Sequence, residues 1–342
     1  MPPPYRLRLD GEALADNWRW LKRTGGGAAC GAAIKADAYG LGAREVVSRL
    51  ATAGCRNFFV ATWAEAAALT PLLDGCGLSV LHGVRAEDMG AATALKARPV
   101  LNSPEQVRRW RGAGGGSCDV MIDTGINRLG LAPADTGLLQ GLQIETLMSH
   151  LACADEDRPE NAAQRAALIE VAARVPHRRL SLANSAGVCL GPDYAFDLTR
   201  PGLALYGGVP RREAQGALRQ VAFPEAQILQ RRTVPSGGSV GYNATWTAAG
   251  DTEIAILNIG YADGVLRGFS NRGQALAGDT ALPFIGRVSM DLIAIDITAA
   301  PDLAEGDWVT IDYDLPRAAQ ASGLAQYELL TSLGDRFERV WV

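Results

Sequence analysis

Short apolar runs alternate with longer stretches of helical periodicity from about residue 10 to residue 210. The runs Ala32–Ala36, Phe58–Ala61, Leu78–Leu81, Pro99–Leu101, Val120–Ile122, Thr146–His150, Leu180–Ala183 and Leu203–Tyr206 read as strands buried on both faces. The clearest helical pattern follows Tyr39-Gly40-Leu41-Gly42. There Ala43, Val46, Val47, Leu50 and Ala51 fall on one face and Gly54 closes the helix. Another begins at Ser103-Pro104-Glu105-Gln106, with Ser as N-cap, Pro in the first turn and Gln completing a capping box. A third runs from about Asn161 to Val175, with Leu168, Val171, Ala172 and Val175 aligned. Eight such runs alternating with helices predict a TIM-type (β/α)8 barrel over residues 10–214, a doubly wound sheet being the alternative. After residue 215 the texture changes. Ala226–Leu229, Glu253–Leu257, Leu292–Ile297 and Trp308–Ile311 are short β-rich runs between Gly, Pro and Asp turns, with a helix hinted at around Leu324–Ser332. Residues 1–9 and 215–342 therefore form a mainly β domain, Tyr5–Asp10 being strand-like itself.

Composition narrows the function classes. A hydrophobic fraction of 48% supports a sizeable core, and 20% charged residues is not the make-up of a disordered chain. A net charge of −4 gives no electrostatic case for nucleic acid. No apolar run has the length of a membrane span, and Met1-Pro2-Pro3-Pro4 leads into no signal-like segment. The six cysteines are scattered without a CxxC pair, and with three histidines no metal site suggests itself. A cytoplasmic protein with reduced thiols is expected.

Lys35 stands out because the chain has only three lysines, Lys22, Lys35 and Lys96, among 33 basic residues. It lies between Ile34 and Ala36 at a strand end, where barrels keep their chemistry. A lysine there is either paired with a carboxylate such as Asp37 or is an amine that becomes neutral and forms an imine with a carbonyl. The segment Ala33-Ile34-Lys35-Ala36-Asp37-Ala38-Tyr39-Gly40-Leu41-Gly42 resembles the pyridoxal-phosphate lysine motif of alanine racemases. Further segments match that family in order and spacing. They are Asp123–Gly130 with Arg128, Ser149-His150-Leu151-Ala152, Ala183-Asn184-Ser185-Ala186, Arg200–Gly207, Val240-Gly241-Tyr242, Gly260–Gly264 and Gly286–Asp291.

The resemblance implies a pyridoxal-phosphate-dependent isomerase that interconverts L- and D-alanine and supplies D-alanine for peptidoglycan. Removing and returning an α-proton on opposite faces calls for two acid–base groups. By resemblance these are Lys35 for the D-enantiomer and Tyr242 for the L-enantiomer. A tyrosine base needs a nearby positive charge, for which His150 or an arginine is a candidate. Resemblance assigns cofactor contacts to Tyr39, Arg128, His150, Asn184, Ser185, Arg200, Gly202 and Leu203, with the ring stacked on His150. The phosphate needs donors, which Tyr39 and Ser185 offer as hydroxyls and Gly202 and Leu203 as N–H groups. Arg200 stays protonated and can only donate to the pyridine nitrogen; its bland alternative is a strand-end salt bridge. Arg128, Tyr261, Met290 and Asp291 are the substrate-binding candidates, Met290 through its N–H. The family's head-to-tail homodimer implies that each β domain completes the partner's site.

Two departures matter. Many members carry a carbamylated lysine seven residues before the loop arginine, where this chain has Met121. Arg128 would then be oriented by Asn127 or by an anion such as chloride. Many also place a phosphate-contacting tyrosine near the C-terminus, where this chain reads Thr331-Ser332-Leu333-Gly334-Asp335-Arg336. The competing readings are a broader or serine racemase, a same-fold amino-acid decarboxylase and a non-catalytic pyridoxal-phosphate carrier.

Overall fold

A computed structural model describes residues 3–342. The chain divides into two compact units, Leu14–Arg219, and Gln220–Val342 together with the residues up to Ala13. The first unit is a parallel barrel. Its ladder runs Ala32–Ala33, Asn57–Val60, Gly77–Val80, Arg98–Leu101, Cys118–Met121, Ile144–Met148 and Arg179–Ser181, each strand paired with the next. The eighth position is held by Leu198–Thr199, which pairs with Ala29–Cys30 just ahead of the first strand. Backbone hydrogen bonds close the ring on both sides. Ala29, Gly31 and Ala33 donate to Asp197, Thr199 and Pro201, while Asp197 and Arg200 donate to Leu180 and Ala183.

The eighth strand was expected at Leu203–Tyr206, but that segment is a 3₁₀ turn. All four of its residues are buried, and a run buried on every side looks the same in sequence whether it is extended or coiled. The first strand also ends earlier than expected, at Ala33 rather than Ala36, because the chain turns left-handed there. The helix Ala43–Ala53 forms with Ala43, Val46, Val47 and Leu50 buried, and stops at Gly54 in the left-handed conformation. Pro104–Gly112 is capped by Ser103, which accepts the Gln106 N–H. The Gln106 side chain instead accepts from the Asn102 N–H and donates to the His82 carbonyl, so the expected capping box is not made. The third helix covers Pro159–Ala172.

The second unit is antiparallel. Its 13-residue strand Ala222–Val234 carries a bulge between Ile228 and Gln230. Before the bulge it pairs with Tyr5–Leu9 and Trp308–Ile311; its second half pairs with Thr252–Leu257. A bulge bends a strand, and here the bend lets one strand serve both ends of the sheet. Six strands close on themselves in the order Thr252–Leu257, Ile293–Asp296, Thr280–Ile285, Gln274–Ala277, Trp308–Ile311 and Ala222–Val234. Tyr5–Leu9 extends this sheet as expected, with the parallel strand Glu338–Trp341 beyond it. The C-terminal helix is Gln326–Ser332, and a further helix, Leu315–Ser322, precedes it.

Candidate active site

Lys35 follows directly on the first barrel strand, whose ladder ends with the Ile34 N–H on the Phe59 carbonyl (2.9 Å). The next four residues, Ala36, Asp37, Ala38 and Tyr39, have φ of +52°, +51°, +53° and +58°, a left-handed turn without a single glycine. Such a conformation costs roughly 1–2 kcal/mol per L-residue, so the surroundings must hold it. The Ala38 N–H donates to Ile34 and the Gly40 N–H to Ala36. Asp37 Oδ1 takes the Ala43 N–H at 2.7 Å, starting the following helix. Asp37 is thus a helix cap, and among the described residues no carboxylate lies within ion-pair distance of Lys35. Glu65, which the sequence reading passed over, holds the start of the turn through the Ala36 N–H at 2.6 Å.

The Lys35 amine is held below the usual lysine range. Its side chain is open to solvent, yet protein rings it closely enough that loss of hydration is the largest influence. Arg128 acts in the same sense and Glu65 opposes both. His150 follows the Ile144–Met148 strand, its backbone clamped by the buried Gln164, which accepts from the Ala152 N–H and donates to the His150 carbonyl. Loss of hydration, then Arg200, Arg128 and Lys35, push its imidazole down to about 3. His150 is therefore neutral and cannot be the cation that a tyrosine base requires; the fixed positive charges here are arginines.

Arg200 is buried and closes the eighth strand. It donates to Ser181 Oγ and to the Ser149 carbonyl, the latter at 2.6 Å, both neutral acceptors. No carboxylate lies within ion-pair distance among the described residues, so the strand-end salt bridge is not what this residue makes. Burial lowers its pKa to about 10, with Asp119 partly opposing, and it remains a cation at neutral pH.

Ser185 Oγ accepts the N–H groups of Gly202 (3.0 Å) and Ala204 (3.1 Å). Between them the buried Leu203 has an N–H with no protein partner among the described residues, a costly arrangement unless something else fills it. At Gly202 a Cβ would stand 2.2 Å from Tyr39 Oη, so a side chain there would have to displace that ring. Tyr39 packs on Tyr206 with ring centroids 4.9 Å apart, and Tyr206 is anchored by its hydroxyl to the Ala33 carbonyl. Hydroxyls and N–H groups without a lysine are the donor set that suits a phosphate ester. Asn184 Oδ1 accepts the Gly187 N–H and so caps the helix Ser185–Cys189.

Arg128 is exposed on a loop shaped by Asp123, whose carboxylate accepts the Gly125 and Asn127 N–H groups. Asn127 is left-handed, and no carboxylate lies within ion-pair distance of Arg128 among the described residues. Met121 faces the barrel core with Phe59, Val100, Met148 and Leu198.

The remaining candidates lie in the antiparallel unit. Tyr242 is 69% exposed, at the edge of an apolar groove of about 400 Å³ lined by Ile256, Ile285, Leu292 and Ala294. The Tyr261 N–H donates to Ser289 and the Ala262 N–H to Met290, which ties two turns together. Met290 is 53% exposed, and its own N–H has no protein partner among the described residues. Asp291 is engaged by Arg336, which also grips the fully buried Asp263 through two nitrogens. That bracing arginine was not singled out in the sequence.

Residues 9–210 match the model of the alanine racemase N-terminal domain, and residues 221–341 that of the C-terminal domain. The chain is 44% identical to an alanine racemase of Acidiphilium cryptum, with 98% of each covered. It is 42% identical to a catabolic alanine racemase of Agrobacterium fabrum, covering 98% of this chain and 92% of that protein. Among solved structures, alanine racemase from Bartonella henselae with covalently bound pyridoxal phosphate superposes with a TM-score of 0.92 at 33% identity, all of both chains covered. The biosynthetic alanine racemase of Pseudomonas aeruginosa gives 0.91 at 32%, again over both whole chains.

Proposed function

This chain belongs to the alanine racemase family, and from that premise we propose how its own residues carry out the pyridoxal-phosphate-dependent interconversion of L- and D-alanine. Lys35 would hold the cofactor, with its phosphate against Tyr39, Ser185, Gly202 and Leu203 and its ring nitrogen toward Arg200. The unpartnered Leu203 N–H and the Ser185 and Tyr39 hydroxyls drawn up against Gly202 fit that group. Bound there, pyridoxal phosphate supplies a conjugated system that takes up the electron pair left when an α-proton departs. In the L-to-D direction Tyr242 of the partner subunit accepts the α-proton and Lys35 delivers one to the opposite side; the roles exchange in reverse. Arg200 remains protonated and can only donate, which limits charge flow into the ring nitrogen and disfavours transamination. It also argues against a decarboxylase, where a carboxylate would be expected to activate the ring.

Arg128 and the free Met290 N–H are the donors for the substrate carboxylate, with Tyr261 and Asp291 at the entrance. The apolar groove beside the exposed Tyr242 suits a second copy of the chain, and a homodimer with shared sites follows. Among the described residues no helix is long and apolar enough to cross a membrane. A cytoplasmic enzyme making D-alanine for peptidoglycan is the setting we infer. The single observation behind this reading is the buried Arg200 cation, held among the described residues only by neutral acceptors. Incubation with L-alanine, L-serine and other L-amino acids, followed by chiral separation, tests it. D-alanine forming fastest is expected; faster racemisation of serine would favour the broader-specificity alternative.

A further inference from the structure

We propose that Glu65 is a positioning residue for Lys35: its carboxylate fastens the left-handed turn on which the lysine is carried. Glu65 stands third in the helix Trp63–Leu69, where a glutamate normally reaches back only to the N-cap. Here Oε2 takes the Thr62 N–H at 3.0 Å and the Ala61 N–H at 2.7 Å, which completes the cap. Oε1 is left for a different task, and it accepts the Ala36 N–H at 2.6 Å, 29 residues away along the chain. Ala36 opens the run of four left-handed residues, and its N–H has no place in the strand ladder. One carboxylate thus joins the end of the second barrel strand to the residue that follows Lys35. Only an ionised carboxylate can do this with both oxygens, because a glutamine offers one acceptor and a donor.

The charge has a consequence of its own. The groups facing the Lys35 amine are Arg128, the neutral His150 and Glu65, and Glu65 is the one that favours its protonated form. Removing the charge should leave the amine deprotonated at lower pH, whatever happens to the turn. The inference rests on Lys35 as the cofactor lysine, so the wild-type protein serves as the check on that assignment.

The test uses the full-length protein freed of cofactor, as wild type, Glu65→Gln, Glu65→Asp and Glu65→Gln combined with Ala36→Gly. Capture of added pyridoxal phosphate is followed by borohydride trapping and peptide mass at Lys35. Competitive acetylation across pH reports the amine, with Lys22 and Lys96 as internal references. Glu65→Gln is expected to slow capture about tenfold, the scale of losing a charge-assisted hydrogen bond, and to move the Lys35 profile to lower pH. Glu65→Asp keeps the charge and the cap but is one methylene short of Ala36, so it slows capture and leaves the profile in place. Ala36→Gly, which takes φ of +52° without penalty, restores capture in the Gln background but not the profile. If wild type traps no cofactor at Lys35, the cofactor assignment fails. If it does and the Glu65 variants match it, or glycine at 36 rescues nothing, Glu65 is only a helix cap and the proposal is overturned.

Discussion

A neutral His150 makes the fold acid-sensitive by an amount that can be worked out. The imidazole is pushed from its ordinary 6.5 to about 3 by loss of hydration and by three neighbouring cationic groups. Between those values the unfolded chain binds a proton that the folded chain refuses. Stability is then fully present above pH 6.5 and is lost as pH falls through the window toward 3. At pH 5 the unfolded form gains about 1.5 units' worth of protonation, or about 2 kcal/mol relative to pH 8. Because His150 keeps some contact with solvent, this is an upper figure. His150→Gln removes the titration while leaving a polar side chain of similar reach. Urea unfolding of the cofactor-free protein at pH 8 and pH 5 gives the comparison. Wild type should lose up to about 2 kcal/mol more than the variant between the two pH values. Parallel losses would refute the reasoning, since every other titrating group is common to both proteins.

Two further expectations concern the cradle and the assembly. Gly202→Ala places a Cβ 2.2 Å from Tyr39 Oη, and relieving that overlap should cost about 1–3 kcal/mol, or about 5- to 150-fold in pyridoxal-phosphate affinity by equilibrium dialysis. Affinity equal to wild type would mean that Tyr39 moves aside freely. Lys35→Ala and Tyr242→Phe subunits, each nearly inactive alone, should regain part of the activity when mixed; verified heterodimers without recovery would show that sites are not shared.

Much of this architecture was legible because parallel strands buried on both faces leave apolar runs such as Phe58–Phe59 and Val100–Leu101. The second texture, beginning near residue 215, announced the antiparallel unit. The eighth strand was missed because only Leu198 and Thr199 are laddered there, while the more conspicuous Leu203–Tyr206 is apolar for another reason, its burial in a coiled turn. The left-handed turn left no trace, since Ala36-Asp37-Ala38-Tyr39 contains none of the glycines that usually announce positive φ. Glu65 went unread although Thr62-Trp63-Ala64-Glu65 has the spacing of a capping box, and its bond to Ala36 depends on the closed barrel. The same holds for Gln164 beneath His150 and for Arg336 between Asp263 and Asp291. Family motifs mark residues that meet the ligand; residues that hold those in place are dispersed, and only the fold brings them together.

Hydrogen traffic at the α-carbon reports most directly on the two opposed proton carriers. In deuterated water, Tyr242→Phe should incorporate deuterium into D-alanine through Lys35 at a rate within a few-fold of wild type. Exchange from L-alanine should fall by about 10²–10⁴, the usual worth of a positioned acid–base group. Equal loss from both enantiomers, or undiminished exchange from L-alanine, would contradict the assignment of one face to each residue.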